Sequence, residues 1–190
     1  VKGQADLISA VILVSVVLVM SISFLGYASS LLSQKTAESD LNNLLQREAA
    51  NTLIYREYED EEGGVLYLGV VRVDGTRGTY YYLAVNKTYC SINGAINGGY
   101  FKGGVLEVSS SRVYVVTSSG QYVPLSALAP SLSTVPLNPL LHEGGNELLA
   151  VGDFTVSLNP PSTPNCLAVI LFTQVGGDYY EVGRYYETWE

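Results

Sequence analysis

Histidine appears once in the 190 residues, at His142, and cysteine twice, at Cys90 and Cys166. The neighbours of His142 have neither the spacing of a catalytic triad nor that of a metal site, so the chain offers no catalytic, cofactor-binding or metal-ligating constellation. Basic residues are scarce as well: 10 Lys and Arg stand against 18 Asp and Glu, a formal net charge of -8. Residues 1–64 hold 4 basic and 9 acidic side chains, and residues 65–190 hold 6 and 9. With both halves acidic, nucleic acid is not an expected partner. Proline is missing before Pro124, and Gly26 is the only glycine between Gly3 and Gly63. Nothing therefore forces a break in a helix before Gly63 and Gly64.

What the chain does have is a long apolar segment. No charged residue occurs from Leu7 to Gln34, and Leu7 to Leu25 holds fourteen large aliphatic, Met or Phe side chains. A helix needs about 20 residues to cross a hydrocarbon core of roughly 30 Å, so the segment is long enough to span a bilayer. It is too long for the apolar region of a cleaved secretory signal, although Gly26-Tyr27-Ala28 imitates a cleavage site. Because the chain opens on Val1 and keeps this segment, removal of a short upstream leader is expected. Left in water, those fourteen side chains would cost on the order of 20 to 40 kcal/mol, so the segment calls for lipid or a packed bundle.

The pattern continues past Lys35. Ala37, Leu41, Leu44, Leu45, Ala49, Thr52 and Leu53 recur at steps of three and four, which predicts one helix reaching about Tyr58. So long a rod cannot bury its apolar stripe in one small domain and calls for neighbours, either lipid followed by one globular head or many parallel copies. The expected organisation is an assembly helix over 1–58, an acidic and glycine linker over 59–64 and a β-rich head over 65–190. The positions expected to face such neighbours are Leu7, Ile8, Val11, Ile12, Val14, Val19, Ile22, Gly26, Leu41, Leu44, Leu45 and Leu53. Small residues at Ser23, Gly26 and Ser30 mark a side where helices can approach closely.

The start Val1-Lys2-Gly3-Gln4-Ala5-Asp6, followed by Leu7-Ile8-Ser9-Ala10-Val11-Ile12-Leu13-Val14, resembles the archaeal type IV pilin-like family over roughly the first 55 residues. The resemblance implies a leader-removing prepilin peptidase, an assembly platform with a cytoplasmic ATPase, insertion in the membrane before assembly, and an extracellular homopolymer with helices inside and heads outside. Absence of a Gly-Ile-Gly start tilts it toward an adhesive pilus meeting a host or abiotic surface. Lys2 and Asp6 are candidates for charge pairing in the core, where desolvation demands a partner.

Beyond Gly64 the period changes to two. Val65–Val73 and Thr79–Val85 flank Asp74-Gly75-Thr76-Arg77-Gly78, reading as strand, tight turn, strand. Further strands are expected at 87–92, 99–108, 112–117, 148–157, 166–175 and 179–188. The class is α+β, a long helix followed by an antiparallel β-sandwich, with an immunoglobulin-like topology as first choice. The stretch from Pro124 to Gly145, with four prolines, reads as a surface connection. Cys90 and Cys166 form either a disulfide or two buried thiols. Asn86-Lys87-Thr88 is a glycosylation sequon at Asn86. Twelve of fifteen tyrosines fall in the head, for packing or for recognition. The rival readings are a monomeric membrane-anchored β-domain that binds a ligand, and an anchored hydrolase.

Overall fold

The structure, a computed structural model, describes residues 2–60, 65–87, 100–101, 104–142, 146–151 and 165–189. By contacts the chain divides into two units, Val1–Leu44 and Leu45–Glu190. Helix α1 spans Lys2–Asn51, so its last two turns belong to the second unit.

The helix stops seven residues short of Tyr58, and β1 begins at once as Thr52–Asp60. In this segment Thr, Ile and Tyr favour the extended state, and the burial runs Thr52 in, Leu53 out, Ile54 partly in, Tyr55 out. That is a period of two, which wins over the apparent helical step because β2, Val65–Arg72, lies antiparallel to β1 from Thr52 opposite Arg72 to Asp60 opposite Val65. The end of the helix is closed by the same switch. Thr52 Oγ1 donates to the Glu48 carbonyl at 2.8 Å, and the Val73 amide donates to the Asn51 carbonyl at 2.8 Å. Leu53 is consequently a half-exposed strand residue rather than part of a helical stripe. Glu57 lies in β1, as do Glu59 and Asp60, the first two residues of the expected linker.

The second unit contains two sheets. One has the order β1-β2-β9, with β9 at Asn146–Val151. The other comprises β3 (Gly78–Lys87), β4 (Tyr100–Phe101), β5 (Leu106–Ser109), β6 (Val113–Val116), β7 (Tyr122–Pro124), β8 (Thr134–His142), β10 (Asn165–Val175) and β11 (Asp178–Trp189). Its order is β5-β8-β3-β10-β11-β6-β7, with β4 paired to β3. The pairings are antiparallel except β11 with β6. The helix-then-sheet class is the expected one. The strands β2 and β3 form as read, but they do not pair with each other: the turn between them is a corner joining the two sheets.

Strand β10 shows how the cores are built. Leu167, Val169 and Leu171 enter one apolar core with Leu66, Leu68 and Val70 of β2, while Ala168, Ile170 and Phe172 enter a second with Val108, Val113, Val115, Val135 and Leu137. A strand with both faces covered reads as a continuous apolar run, as Leu167–Phe172 does. One face is covered by the small sheet; the other is covered by the large sheet's own outer strands, which curl over it.

The expected surface connection from Pro124 to Gly145 is a correction. It contains a short helix, α2 (Leu125–Leu128), and all of β8, and it buries Leu125, Val135 and Leu137. Two prolines fit inside β8 because the strand changes partner midway. Residues 134–137 pair with β5 and residues 138–142 with β3, so each half has an edge on which a missing amide donor costs no ladder bond. The β10–β11 hairpin turns through Gly176 and Gly177, at φ 62 and 92. Successive positive φ values are what a two-residue hairpin loop of this kind requires, and glycine adopts them without a Cβ penalty.

Candidate functional site: an apolar helix surface and two charge clusters

From Val11 to Leu25 the side chains of α1 are exposed on every side. Val11, Ile12, Val14, Val19 and Ile22 are each more than half exposed, as are Phe24 at 70% and Leu25 at 66%. A helix apolar all round is suited to lipid or to the interior of an assembly, not to water. Its hydroxyls fit the same setting. Ser15 donates to the Val11 carbonyl at 2.8 Å, Ser21 to Val17 at 2.7 Å and Ser23 to Val19 at 2.8 Å, so the polar groups are satisfied within the helix. The helix has the length and apolarity of a membrane span, with a mean hydropathy of 2.4 in its most apolar window.

The predicted core positions separate into three groups. Val11, Ile12, Val14, Val19, Ile22 and Gly26 lie on this exposed apolar surface. Leu41 and Leu44 are half-buried, and Leu45 is fully buried within the second unit, which removes it from any contact with a neighbour. Leu53 has left the helix altogether. Lys2, Asp6, Leu7 and Ile8 lie in α1, with their side chains outside the described residues. Asn86 stands in β3 opposite Leu167, and Cys166 in β10 opposite Lys87; the side chains, and Cys90 entirely, lie outside the described residues, as therefore does the disulfide. His142 ends β8 opposite Gly78.

A charge cluster closes the end of the helix onto the β structure. Arg72, at the end of β2, donates from Nη1 to Glu48 Oε2 at 2.6 Å and to Tyr80 Oη at 2.7 Å. Its Nη2 reaches Glu48 Oε1 at 3.3 Å and Asp74 Oδ2 at 2.7 Å, and Nε reaches Asp74 Oδ1 at 2.8 Å. Every guanidinium N–H is thereby used. With Arg72 donating to it, the Tyr80 hydroxyl donates on to Thr52 Oγ1 at 3.1 Å, whose own proton goes to the Glu48 carbonyl. Such a chain of bonds polarises in one direction. Asp74 also accepts from the Thr76 amide at 3.1 Å and hydroxyl at 2.9 Å, which shapes the corner between the sheets. The bonds from Arg72 hold the Asp74 carboxyl well below the usual range, and those to Asp74 raise Arg72 above its own. Burial raises the Tyr80 phenol.

A second cluster lies between β11 and β6. Arg184 donates from Nε to Glu181 Oε1 at 2.8 Å and from Nη2 to Oε2 at 2.7 Å, a forked ion pair. The pair occupies the place of a strand: the Val116 amide donates to Glu181 Oε2 at 2.8 Å, and the Val116 carbonyl accepts from Arg184 Nη2 at 2.9 Å. The parallel ladder between the strands covers only Tyr179 with Val113 and Tyr180 with Tyr114, and the side chains extend it. Tyr114 stacks on Tyr180 at 4.8 Å, and Tyr122 meets Tyr180 edge-on at 5.7 Å while donating to the Glu181 carbonyl. Burial raises the Glu181 carboxyl despite Arg184 and the Val116 amide. For Arg184 desolvation acts downward, but the bonds to Glu181 outweigh it and keep it raised.

Neither cluster was found from sequence. The signal at the first was Asp74-Gly75-Thr76, a turn whose Asp also has an Arg two residues before it. The second had none, since residues three apart on a regular strand face opposite ways. A bulge resets the direction: Leu171 pairs with Gly183 and Phe172 with Glu181, leaving Val182 extra. Among the described residues no group of three or more His, Cys, Asp or Glu is placed to hold a metal ion. No family model, curated protein or solved structure matches the chain.

Proposed function

We propose that this chain is a structural subunit of an extracellular type IV pilus-like filament, inserted in the membrane before assembly and polymerising through its N-terminal helix, with adhesion to surfaces as its role. The observation that carries the reading is the helix from Val11 to Leu25, exposed, apolar on all sides and free of unsatisfied hydroxyls at Ser15, Ser21 and Ser23. In the filament these residues form a lipid-free core with the β units outside. The resemblance of the first residues to archaeal pilins supports the same machinery: a prepilin peptidase, an assembly platform and an ATPase. The role is structural, without catalysis. Negative-stain microscopy of native surface material tests it: micrometre filaments labelled by an antibody to the β unit are expected, and dispersed particles overturn it.

A membrane-anchored β-domain acting as a monomer is the second reading, and one observation favours it. Burial of Leu45 within the second unit and loss of Leu53 to a strand shorten the amphipathic stripe that an anchor would not need. A filament reconstruction with the helix in its core decides for assembly.

A further inference from the structure

Strand β2 is apolar on both faces through Leu66-Tyr67-Leu68-Gly69-Val70-Val71, as β10 is, yet only one of its faces lies in a core. Leu66, Leu68 and Val70 enter that core. The alternate positions form the outer face of the small sheet. There Leu53 stands opposite Val71, Tyr55 opposite Gly69 and Tyr58 opposite Tyr67, the last two rings 6.1 Å apart. Val73 continues the row, its amide bonded to the Asn51 carbonyl. An antiparallel sheet with one face in water carries polar residues on that face. Here the register skips Glu57, and between Leu53 and Tyr58 the paired outer positions are Leu, Tyr, Val and Gly alone. Leu53, Tyr58 and Val73 are each more than half exposed. Of the exposed large apolar side chains described in the second unit, these three and Tyr55 share this face, against Val105 and Leu106 at β5 and Tyr186 on β11. Such a concentration marks an interaction surface, where scattered apolar residues would not.

Resting on the filament reading above, we infer that the outer face of the small sheet seats the apolar helix, Val11 to Leu25, of a second copy of this chain. The two surfaces match in charge, since α1 carries none from Leu7 to Gln34 and the paired outer positions from Leu53 to Tyr58 carry none either. They match in width as well. Three strands make a face about 10 Å across, and a helix with its side chains is about 10 Å in diameter. From Tyr67 to Val73 the face is about 20 Å long. That footprint is far too small to hold two β units face to face, which takes roughly 800 Å² from each partner. A helix apolar all round needs cover on every side, and neighbouring helices in a bundle cover only its inward sides. An apolar face of a β unit covers the outward one. Because helix and face are different surfaces, each copy offers one to a neighbour and the other to the next, so the contact is heterologous and propagates.

The test uses the full-length chain assembled in its own cells. Leu53→Lys and Val73→Lys place a charge in the apolar contact, and each is expected to weaken assembly at least about tenfold, seen as loss of filaments from the surface. The urea midpoint of the β unit should stay near wild type, because both side chains are exposed. Ser118→Lys, on an exposed turn, is expected to leave filaments intact. A second variant, Tyr58→p-benzoylphenylalanine, is illuminated in intact filaments and digested with trypsin. A product of twice the subunit mass is expected, joined to the peptide 3–35, which no Lys or Arg interrupts before Lys35. Filaments that survive both lysine variants overturn the inference, as do a cross-link at subunit mass, one to a neighbour's β unit, or none, while the filament reading stands. Wild-type material without filaments overturns that reading, and this contact with it.

Discussion

Arg72 lies 2.6 Å from Glu48, joining the first residue after a strand's apolar run to a carboxylate in the last turn of the helix. Both side chains are nearly buried, at 9% and 12% exposure. Removing one partner of such a pair strands the other away from water. Arg72→Met is expected to lower stability by about 3 kcal/mol, measured as the urea midpoint of the β unit in the full chain. Arg72→Lys keeps the charge but not the fork and falls in between. Equal midpoints for wild type and Arg72→Met would show that the cluster contributes nothing.

Asp74 governs the acid side. Its folded pKa lies below the ordinary 3.8, chiefly through the bonds from Arg72. Between the two values the unfolded chain binds the proton and the folded chain does not, so its stabilisation is present above pH 3.8 and lost as pH falls through the lowered value. Asp74→Asn should flatten this part of the profile. Urea midpoints from pH 5 down to pH 2, about the range over which the loss occurs, check it, and parallel curves for the two proteins contradict it.

Glu181 acts in the opposite sense. Burial lifts its folded pKa above the ordinary 4.5. In that window the folded state holds the proton that the unfolded state has released, so its contribution falls as pH rises from 4.5 through the raised value. Glu181→Gln removes the titration and should lose less stability than wild type between those limits. Glu181→Ala instead leaves the Val116 amide without its acceptor and should cost about 2 kcal/mol. Thermal melts of the three proteins at several pH values separate the effects.

Gly69 sits opposite Tyr55 in the β1–β2 pair, and a Cβ built there would clash with the Tyr55 ring. Gly69→Ala is expected to destabilise by about 1 to 3 kcal/mol as the ring is displaced. Adding Tyr55→Ala should recover part of the loss, and a double-mutant cycle with no coupling would refute the contact.

The proposed site was legible in one part and hidden in another. Val11 to Leu25 could be read as a helix surface because the evidence is local: apolar residues at nearly every position with no charge between them. Leu45 and Leu53 were assigned to the same surface by spacing alone. Their fates differ because Leu45 is covered within the second unit, while Leu53 follows a backbone that has already paired with β2. Tyr80 and Tyr179 show the same limit, since their burial within this unit makes them packing residues, a role composition could not separate from recognition.

By itself the sequence determined the long apolar helix, the change to β structure and most strand positions, since periodicity and side-chain type act over a few neighbouring residues. Tertiary structure alone decided where the helix stops, that β2 and β3 enter different sheets, and that Pro136 and Pro139 lie within a strand. It also decided the partners of Arg72 and Glu181, which bond to groups 24 and 65 residues away. The reason is physical: a ladder bond or a buried ion pair takes its free energy from a partner that only folding brings near, and local preference yields to it.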